Sequence, residues 1–308
     1  MSKRNKIVVS FIIICFAWGS SWAAVKLTIE TVPVLLSLGL RFSIASCILG
    51  LIIVIKGLSI PADKNFWKLV MILCSTSFTV PIILIYWAQM KVNSGLASVL
   101  FASFPFWVTI ISHKLLPKER ITIVRIAGMI IGFIGIILIF KNSILNIEIY
   151  QAICMIAIIV GASIQASGLI ALRKYGEQIH PVMLNFWSMF ISAIILFSIS
   201  IVIEDYSKTV FDYKTVGSLI YLAIFCTVFA FVLYYWLVKH VEVVILSLSA
   251  FITPVIAVVI GVVFMGEELT SNLYAGSSLV LIGVATATVG DLIKMYRSSQ
   301  GKGIIKIR

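Results

Sequence analysis

Pro33-Val34-Leu35-Leu36-Ser37-Leu38-Gly39-Leu40-Arg41-Phe42 returns 148 residues later as Pro181-Val182-Met183-Leu184-Asn185-Phe186-Trp187-Ser188-Met189-Phe190. The Pro-Val start, Leu36 with Leu184 and Phe42 with Phe190 share that offset, and Val54-Ile55 and Val202-Ile203 keep it. Tyr86-Trp87 recurs as Tyr235-Trp236, and Pro105 as Pro254, at an offset of 149. Glu119, Thr122, Gly128 and Gly135 recur as Glu267, Thr270, Gly276 and Gly283, again at 148. A single-residue slip accounts for the change, so the chain carries one pattern twice.

Composition says where the pattern sits. The chain is 61% hydrophobic and 12% charged, whereas soluble domains carry about 25% charged residues. Roughly 20 mostly apolar residues cross the hydrocarbon of a bilayer. Ten stretches qualify: 7–27, 33–55, 66–88, 94–113, 121–140, 149–172, 181–203, 216–238, 243–265 and 273–293. Each copy therefore holds five spans, and because five is odd the second copy enters the bilayer upside down. The expectation is an all-α membrane protein of ten transmembrane helices. They form two inverted five-helix repeats, 1–142 and 143–308, around a central cavity. The connections are too short for a soluble domain. Lys3, Arg4 and Lys6 precede an apolar run in the manner of a secretory signal, and Ser21-Trp22-Ala23-Ala24 faintly resembles a cleavage site. That run is long enough to cross and nine more follow, so it is expected to stay as the first span.

The net charge of +12 reads as topology. With a cytoplasmic N-terminus, eighteen of the 24 Lys and Arg residues fall on the cytoplasmic side. Five fall on the other side (Lys26, Lys91, Lys141, Lys208, Lys214), and Arg41 lies within the membrane. Basic loops stay cytoplasmic, which places both termini there, Glu119 inside and Glu267 outside. The surplus then serves contact with anionic lipid rather than nucleic acid.

Catalytic and metal chemistry find little footing. The five cysteines all fall in apolar spans, without metal or disulfide spacing. His113, His180 and His240 sit at cytoplasmic helix ends, and no nucleophile elbow, phosphate-cradling loop or zinc-type His-Glu pair occurs. This argues for no enzyme, no cofactor and no metal, and excludes an ATP-driven pump. An integral-membrane enzyme acting on lipid-linked substrates is the rival class, and it lacks converging acids and histidines.

Polar residues inside a bilayer are costly and point to function. Arg41 lies about a third of the way through helix 2, and no Asp or Glu falls in the centre of any span. Two roles stand open for it: bonding main-chain carbonyls beside a wet cavity, or meeting a substrate carboxylate. Gln165 is near the middle of helix 6. Trp18, Ser21 and Trp22 share one face of helix 1 at three- and four-residue spacing. Tyr86-Trp87 and Tyr235-Trp236 lie near helix ends, where aromatics mark either the membrane interface or a cavity mouth. Pro81, Pro105 and Pro254 lie within spans, where proline bends a helix, as a fixed kink or as part of a gate. Gly128 and Gly132, extended by Gly135, and Gly276 with Gly283 give helices 5 and 10 small faces for close packing, within one chain rather than between two. The missing midplane carboxylate favours downhill transport or exchange over proton coupling.

Taken in order, these residues resemble the EamA-type family of drug/metabolite transporters. The resemblance rests on ten spans in two repeats, Trp18-Gly19-Ser20-Ser21, Arg41-Phe42, and prolines in helices 4 and 9. It also rests on Gly266-Glu267-Glu268-Leu269-Thr270 before Gly276 and Gly283, echoed by Lys118-Glu119-Arg120-Ile121-Thr122 before Gly128 and Gly135. It covers about residues 8 to 290. It implies a secondary transporter in a bacterial inner membrane, often an exporter of amino acids or other small metabolites, with an importer or exchanger of a bulkier, nucleotide-like solute as the alternative. It implies a cavity lined by helices 1, 3, 4, 6, 8 and 9, with Trp18, Ser21, Tyr86, Gln165 and Tyr235 on its wall and Arg41 close by. The partners expected are a small-molecule substrate and membrane lipids, and the state a monomer or a homodimer. The second repeat departs at Met189, which stands where Arg41 would recur, and helix 6 lacks a tryptophan that many members place there.

Overall fold

The long apolar runs fold as helices because a bilayer offers the backbone no other partner for its polar groups. The computed structural model describes residues 3–60, 63–116, 122–140, 148–265 and 271–300. The first half contains α1 (Lys3–Ile29), α2 (Val34–Ile55), α3 (Lys64–Leu73), α4 (Val80–Gln89), α5 (Ser94–Phe101), α6 (Phe104–Leu115) and α7 (Ile123–Phe140). The second contains α8 (Ile149–Tyr175), α9 (Pro181–Ile203), α10 (Tyr213–Tyr221), α11 (Ala230–Val238), α12 (Val243–Ser247), α13 (Ser249–Met265) and α14 (Ser271–Gln300). No strand occurs among the described residues. Among the described residues seven helical stretches are long and apolar enough to cross a membrane: Asn5–Ile29, Val34–Ile55, Lys64–Gln89, Ser94–Leu115, Ile149–Tyr175, Pro181–Ile203 and Tyr213–Val238. The other three expected spans fall on helices whose apolar portions are shorter: Ile123–Gly135, Val243–Ala257 and Tyr274–Ala287. Large apolar side chains such as Ile12, Phe16, Leu51, Val54, Ile194 and Val202 point outward, as lipid-facing residues do. This is a multi-pass membrane protein. The segments 117–121, 141–147, 266–270 and 301–308 lie outside the described residues, and with them Lys118, Glu119, Arg120, Lys141, Gly266, Glu267, Glu268 and Thr270.

Packing between the halves has a consistent pattern. α1 packs on α13, α10 and α11, while α8 packs on α6, α4 and α3. α2 packs on α9, and α7 on α14. Most of the larger contacts of first-half helices are matched by the corresponding contacts of their second-half counterparts, as α5 on α13 is by α12 on α6. The α7–α14 crossing is the tightest, because its glycines let main chain meet main chain. A Cβ on Gly128 would lie 2.4 Å from the Ala287 nitrogen and 2.5 Å from the Gly283 oxygen, and one on Gly283 would lie 2.4 Å from the Gly128 oxygen.

The helix irregularities differ from those the prolines alone predict. α3 and α4 are joined by a π-helical segment, Cys74–Thr79, and α10 and α11 by another, Leu222–Phe229. The second encloses the first when shifted by 149 residues. Pro81 sits in the first turn of α4, directly after the first π segment. Pro105 likewise opens α6, after a break at Ala102 and Ser103. Pro254 lies inside α13 without breaking it, and the break in that span falls earlier, at Leu248. The Thr253 hydroxyl donates to the Ala250 carbonyl at 3.2 Å, supplying a donor to the oxygen that the proline nitrogen cannot serve. Pro105 and Pro254 are therefore equivalent in sequence but not in local structure.

One cap crosses the halves. The residue before α2 is Pro33, which offers no side-chain cap, yet the first amides of a helix need acceptors. The Glu204 carboxylate accepts from the Leu35 and Leu36 amides at 2.7 and 2.9 Å and from the Ser200 hydroxyl at 2.6 Å. A negative charge at a helix N-terminus also meets the helix dipole favourably. Glu204→Ala is expected to lower stability by about 1–2 kcal/mol, read as a fall in the melting temperature of the detergent-solubilised protein. Unchanged melting would show that solvent caps α2 equally well.

Candidate functional site

Between the halves lies a cavity of about 110 Å³. Its wall comes from α1 (Trp18, Ser21), α2 (Arg41), α4 (Tyr86, Gln89), α8 (Gln165), α11 (Tyr235) and α13 (Thr253), among others. All six binding candidates read from the sequence, Trp18, Ser21, Arg41, Tyr86, Gln165 and Tyr235, are brought together on this one surface. Pro81, Pro105 and Pro254 are not among the lining residues, although Ser77, Ile82, Phe104 and Thr253 beside them are.

Arg41 dominates the electrostatics. Its side chain is 5% exposed. Nε donates to the Thr227 hydroxyl at 2.7 Å and Nη1 to the Tyr86 hydroxyl at 2.7 Å. Thr227 can accept because it belongs to the second π segment, and its own hydroxyl donates to the Leu222 carbonyl at 2.8 Å. A π turn takes main-chain carbonyls out of the ordinary ladder, and such turns gather at functional sites. Both partners of Arg41 are neutral. Among the described residues the one ion pair is Arg125–Glu242, at 2.7 Å and away from the cavity, and no carboxylate lines the cavity. The guanidinium thus has five donors in a fork, two neutral acceptors, and no counter-ion.

The second half builds the matching contact without charge. α9 meets the first π segment as α2 meets the second. There the Thr79 hydroxyl donates to Ser192 at 3.0 Å, and the Cys74 thiol lies 3.2 Å from the Ser192 hydroxyl. Met189, at the position equivalent to Arg41, is wholly buried. The charge therefore sits in one half only.

Aromatic rings form much of the remaining wall. The Trp18 ring meets Tyr234 edge-on at 4.8 Å and Phe231 at 5.4 Å. Its indole nitrogen donates to the Cys226 carbonyl of the π segment at 3.2 Å. Ser21 turns its hydroxyl onto the Trp18 carbonyl at 2.7 Å, so it offers the cavity little beyond a small surface. Tyr235 is 2% exposed and lies on the cavity wall rather than at a lipid interface. Its hydroxyl makes no hydrogen bond by geometry, with Ser77 as its polar neighbour.

Basic side chains tie both ends of the helix bundle. At the end holding the α1–α2 turn, Lys26 Nζ donates to the Gln89 main-chain oxygen at 2.8 Å. At the opposite end, Arg173 donates to the Val238 oxygen and Lys239 Nζ to the Ile179 oxygen at 2.6 Å. Gln89 and Val238 are 149 residues apart, so each half contributes a basic residue bound to the last carbonyl of an equivalent helix. Burial lowers the Lys239 ammonium below its ordinary pKa, with nearby Glu177 opposing. Among the described residues no three His, Cys, Asp or Glu side chains converge as a metal-ligand set.

Comparison with known proteins gives consistent matches. The sequence profile of the EamA-like transporter family matches residues 5–141 and again 152–289. The chain is 26% identical over 279 residues to the uncharacterized transporter YoaV of Bacillus subtilis, covering 91% of this chain and 95% of that protein. It is 29% identical over 271 residues to an uncharacterized transporter of Archaeoglobus fulgidus, covering 87% and 93%. Protein PagO of Salmonella typhimurium is 26% identical over 260 residues, covering 83% and 84%. A solved crystal structure with 19% identity superposes with a TM-score of 0.75 over 94% of this chain and 99% of its own, a likeness of fold.

Proposed function

The chain belongs to the EamA-like transporter family, and on that premise we propose that it is a secondary transporter that moves a small carboxylate-bearing metabolite, such as an amino acid, outward across the bacterial inner membrane by alternating access. The observation that carries this reading is Arg41, a buried cation on the cavity wall bonded to two hydroxyls and beside the Phe42 ring, 5.9 Å from its guanidinium carbon, with no carboxylate partner among the described residues. A buried charge without a partner is expensive, and a substrate carboxylate would supply the bidentate acceptor that guanidinium geometry fits. In this reading Arg41 holds the carboxylate, Tyr86 positions Arg41, and Trp18, Gln165 and Tyr235 line the space for the rest of the solute. Ser21 contributes shape. The size of the cavity supports a small solute. At roughly 10–15 Å³ per water, its 110 Å³ accommodates a solute of amino-acid size and falls short of a nucleotide.

The architecture proposed is two repeats, 1–142 and 143–308, inverted about an axis in the membrane plane, with ten spans and cytoplasmic termini. The matched helix pairing across the halves, the paired π segments and the double profile match support it. The transporter works as a monomer in this reading, since the glycine faces of α7 and α14 cover each other within one chain. The prolines at 81 and 105 and the π turns beside the cavity are where bending would open it; Pro254 follows the break at Leu248.

The test is solute exchange in liposomes containing the purified protein. Labelled amino acids and hydroxy acids should exchange, while the corresponding amines and alcohols should not, with similar rates with and without a pH gradient. Exchange confined to nucleotide-like solutes, or indifferent to the carboxylate, would overturn the reading. Retention of the same solute in cells lacking the protein, with release in cells containing it, checks the direction.

A further inference from the structure

Gln89 is a polar side chain on the cavity wall with both of its polar atoms unused by the protein. It ends α4, is fully buried, and lines the cavity. Neither its Nε2 nor its Oε1 has a hydrogen-bond partner in the protein. Buried amides are nearly always bonded, and leaving one unbonded costs more than the bond is worth. The arrangement is not loose, because Lys26 fixes the main-chain oxygen of the same residue at 2.8 Å. Gln89 also follows Tyr86 by three residues, so the two side chains share a helix face one turn apart. Tyr86 is the residue whose hydroxyl holds Arg41. A solute bound to Arg41 by its carboxylate therefore has an amide, offering two donors and an acceptor, within one helical turn. The equivalent position in the second half is Val238, which has nothing to offer.

We propose that Gln89 is a specificity-determining residue that reads a second polar group, amino or hydroxyl, carried on the chain of the carboxylate solute. The class selected is then the 2-amino and 2-hydroxy acids, in preference to carboxylic acids of the same skeleton without that group. The inference rests on the reading of Arg41 as the carboxylate site. Among the described residues no carboxylate lines the cavity to hold an ammonium, so an amino substituent would be received by Gln89 Oε1 and the aromatic faces of Trp18 and Tyr234. A site built to bond a polar group strongly rejects analogues that lack it, since its own buried group is then stranded.

The experiment uses the purified full-length protein in detergent and measures its thermal shift with a panel. The panel holds the twenty common amino acids, their 2-hydroxy analogues, and their unsubstituted acids. Wild type should bind at least one substituted acid about tenfold or more tightly than its unsubstituted partner. Gln89→Leu should melt no lower than wild type without ligand, because it removes an unbonded amide, and should bind the two partners within about twofold of each other. Arg41→Met should lose the shift with both. Equal shifts by substituted and unsubstituted acids in wild type would overturn the role of Gln89 and leave Arg41 standing. A Gln89→Leu protein that melts lower yet keeps the preference would mark a structural side chain. No shift with any carboxylate would overturn both readings.

Discussion

Arg41→Met is expected to reduce carboxylate transport at least about 30-fold while leaving the protein folded. Truncating one partner of a buried, hydrogen-bonded charge pair costs 2–5 kcal/mol, and each 1.4 kcal/mol is a factor of ten in affinity. The fold should tolerate the change for a reason internal to the chain. Met189 occupies the equivalent position in the second half and is wholly buried there. Thr227 would keep its bond to the Leu222 carbonyl, and only the Tyr86 hydroxyl would lose its partner. That loss is set against removal of an uncompensated buried cation. Arg41→Lys keeps the charge but not the fork, and an intermediate loss is expected. Exchange assays in liposomes, alongside size-exclusion profiles and melting curves, separate the two outcomes. A variant that fails to fold would assign Arg41 to structure, and full transport by folded Arg41→Met would remove it from the site.

Gly128→Ala is expected to have the larger effect on stability, lowering it by about 3 kcal/mol or more. Overpacking usually costs 1–3 kcal/mol when side chains can shift. Here the added methyl would lie 2.4 Å from the Ala287 nitrogen, 2.5 Å from the Gly283 oxygen and 2.8 Å from the Ala287 Cα, and a main chain cannot rotate out of the way. α7 and α14 would have to move apart, losing contact along the whole crossing. Gly217→Ala provides the control, since that helical glycine has nothing within 4 Å of the added Cβ. It should stabilise by roughly 0.5–1 kcal/mol, the usual preference of a helix for alanine. Thermal unfolding of the two variants in one detergent decides the matter: if Gly128→Ala melts with Gly217→Ala, the crossing is not held by main-chain proximity.

The sequence exposes some of this structure and hides the rest for physical reasons. Spans are legible because the bilayer demands long apolar runs. The duplication is legible because Pro33, Tyr86 and Gly128 have counterparts at nearly constant spacing. The cavity wall is legible because polar groups such as Arg41 and Gln165 have no cheap place in lipid, and all six candidates do share one surface. The π segments are not legible. One extra residue in a turn leaves hydropathy unchanged, and Cys74–Thr79 and Leu222–Phe229 read as continuous helix. Thr227 was hidden for the same reason, since only the wide turn carries its hydroxyl to Arg41. Gln89 escaped because it falls one residue past the end of an apolar run and looks like a loop boundary. Pro254 lies inside an unbroken helix, and the spacing does not show that a neighbouring threonine hydroxyl serves the carbonyl that the proline leaves unbonded.

The glycine crossing of α7 and α14 also has a history in time. About 155 residues separate Gly128 from Gly283. At the 5–20 residues per second of synthesis, α7 waits on the order of 8–30 s in the bilayer before its partner is made. Through that interval the groove over Gly128, Gly132 and Gly135 is filled by acyl chains, which fit a shallow furrow without cost in hydrogen bonds, because the helix already satisfies its own main chain. The last helix then has to displace lipid rather than water, so completion of the molecule is driven by close packing and release of lipid, with no hydrophobic force to assist it.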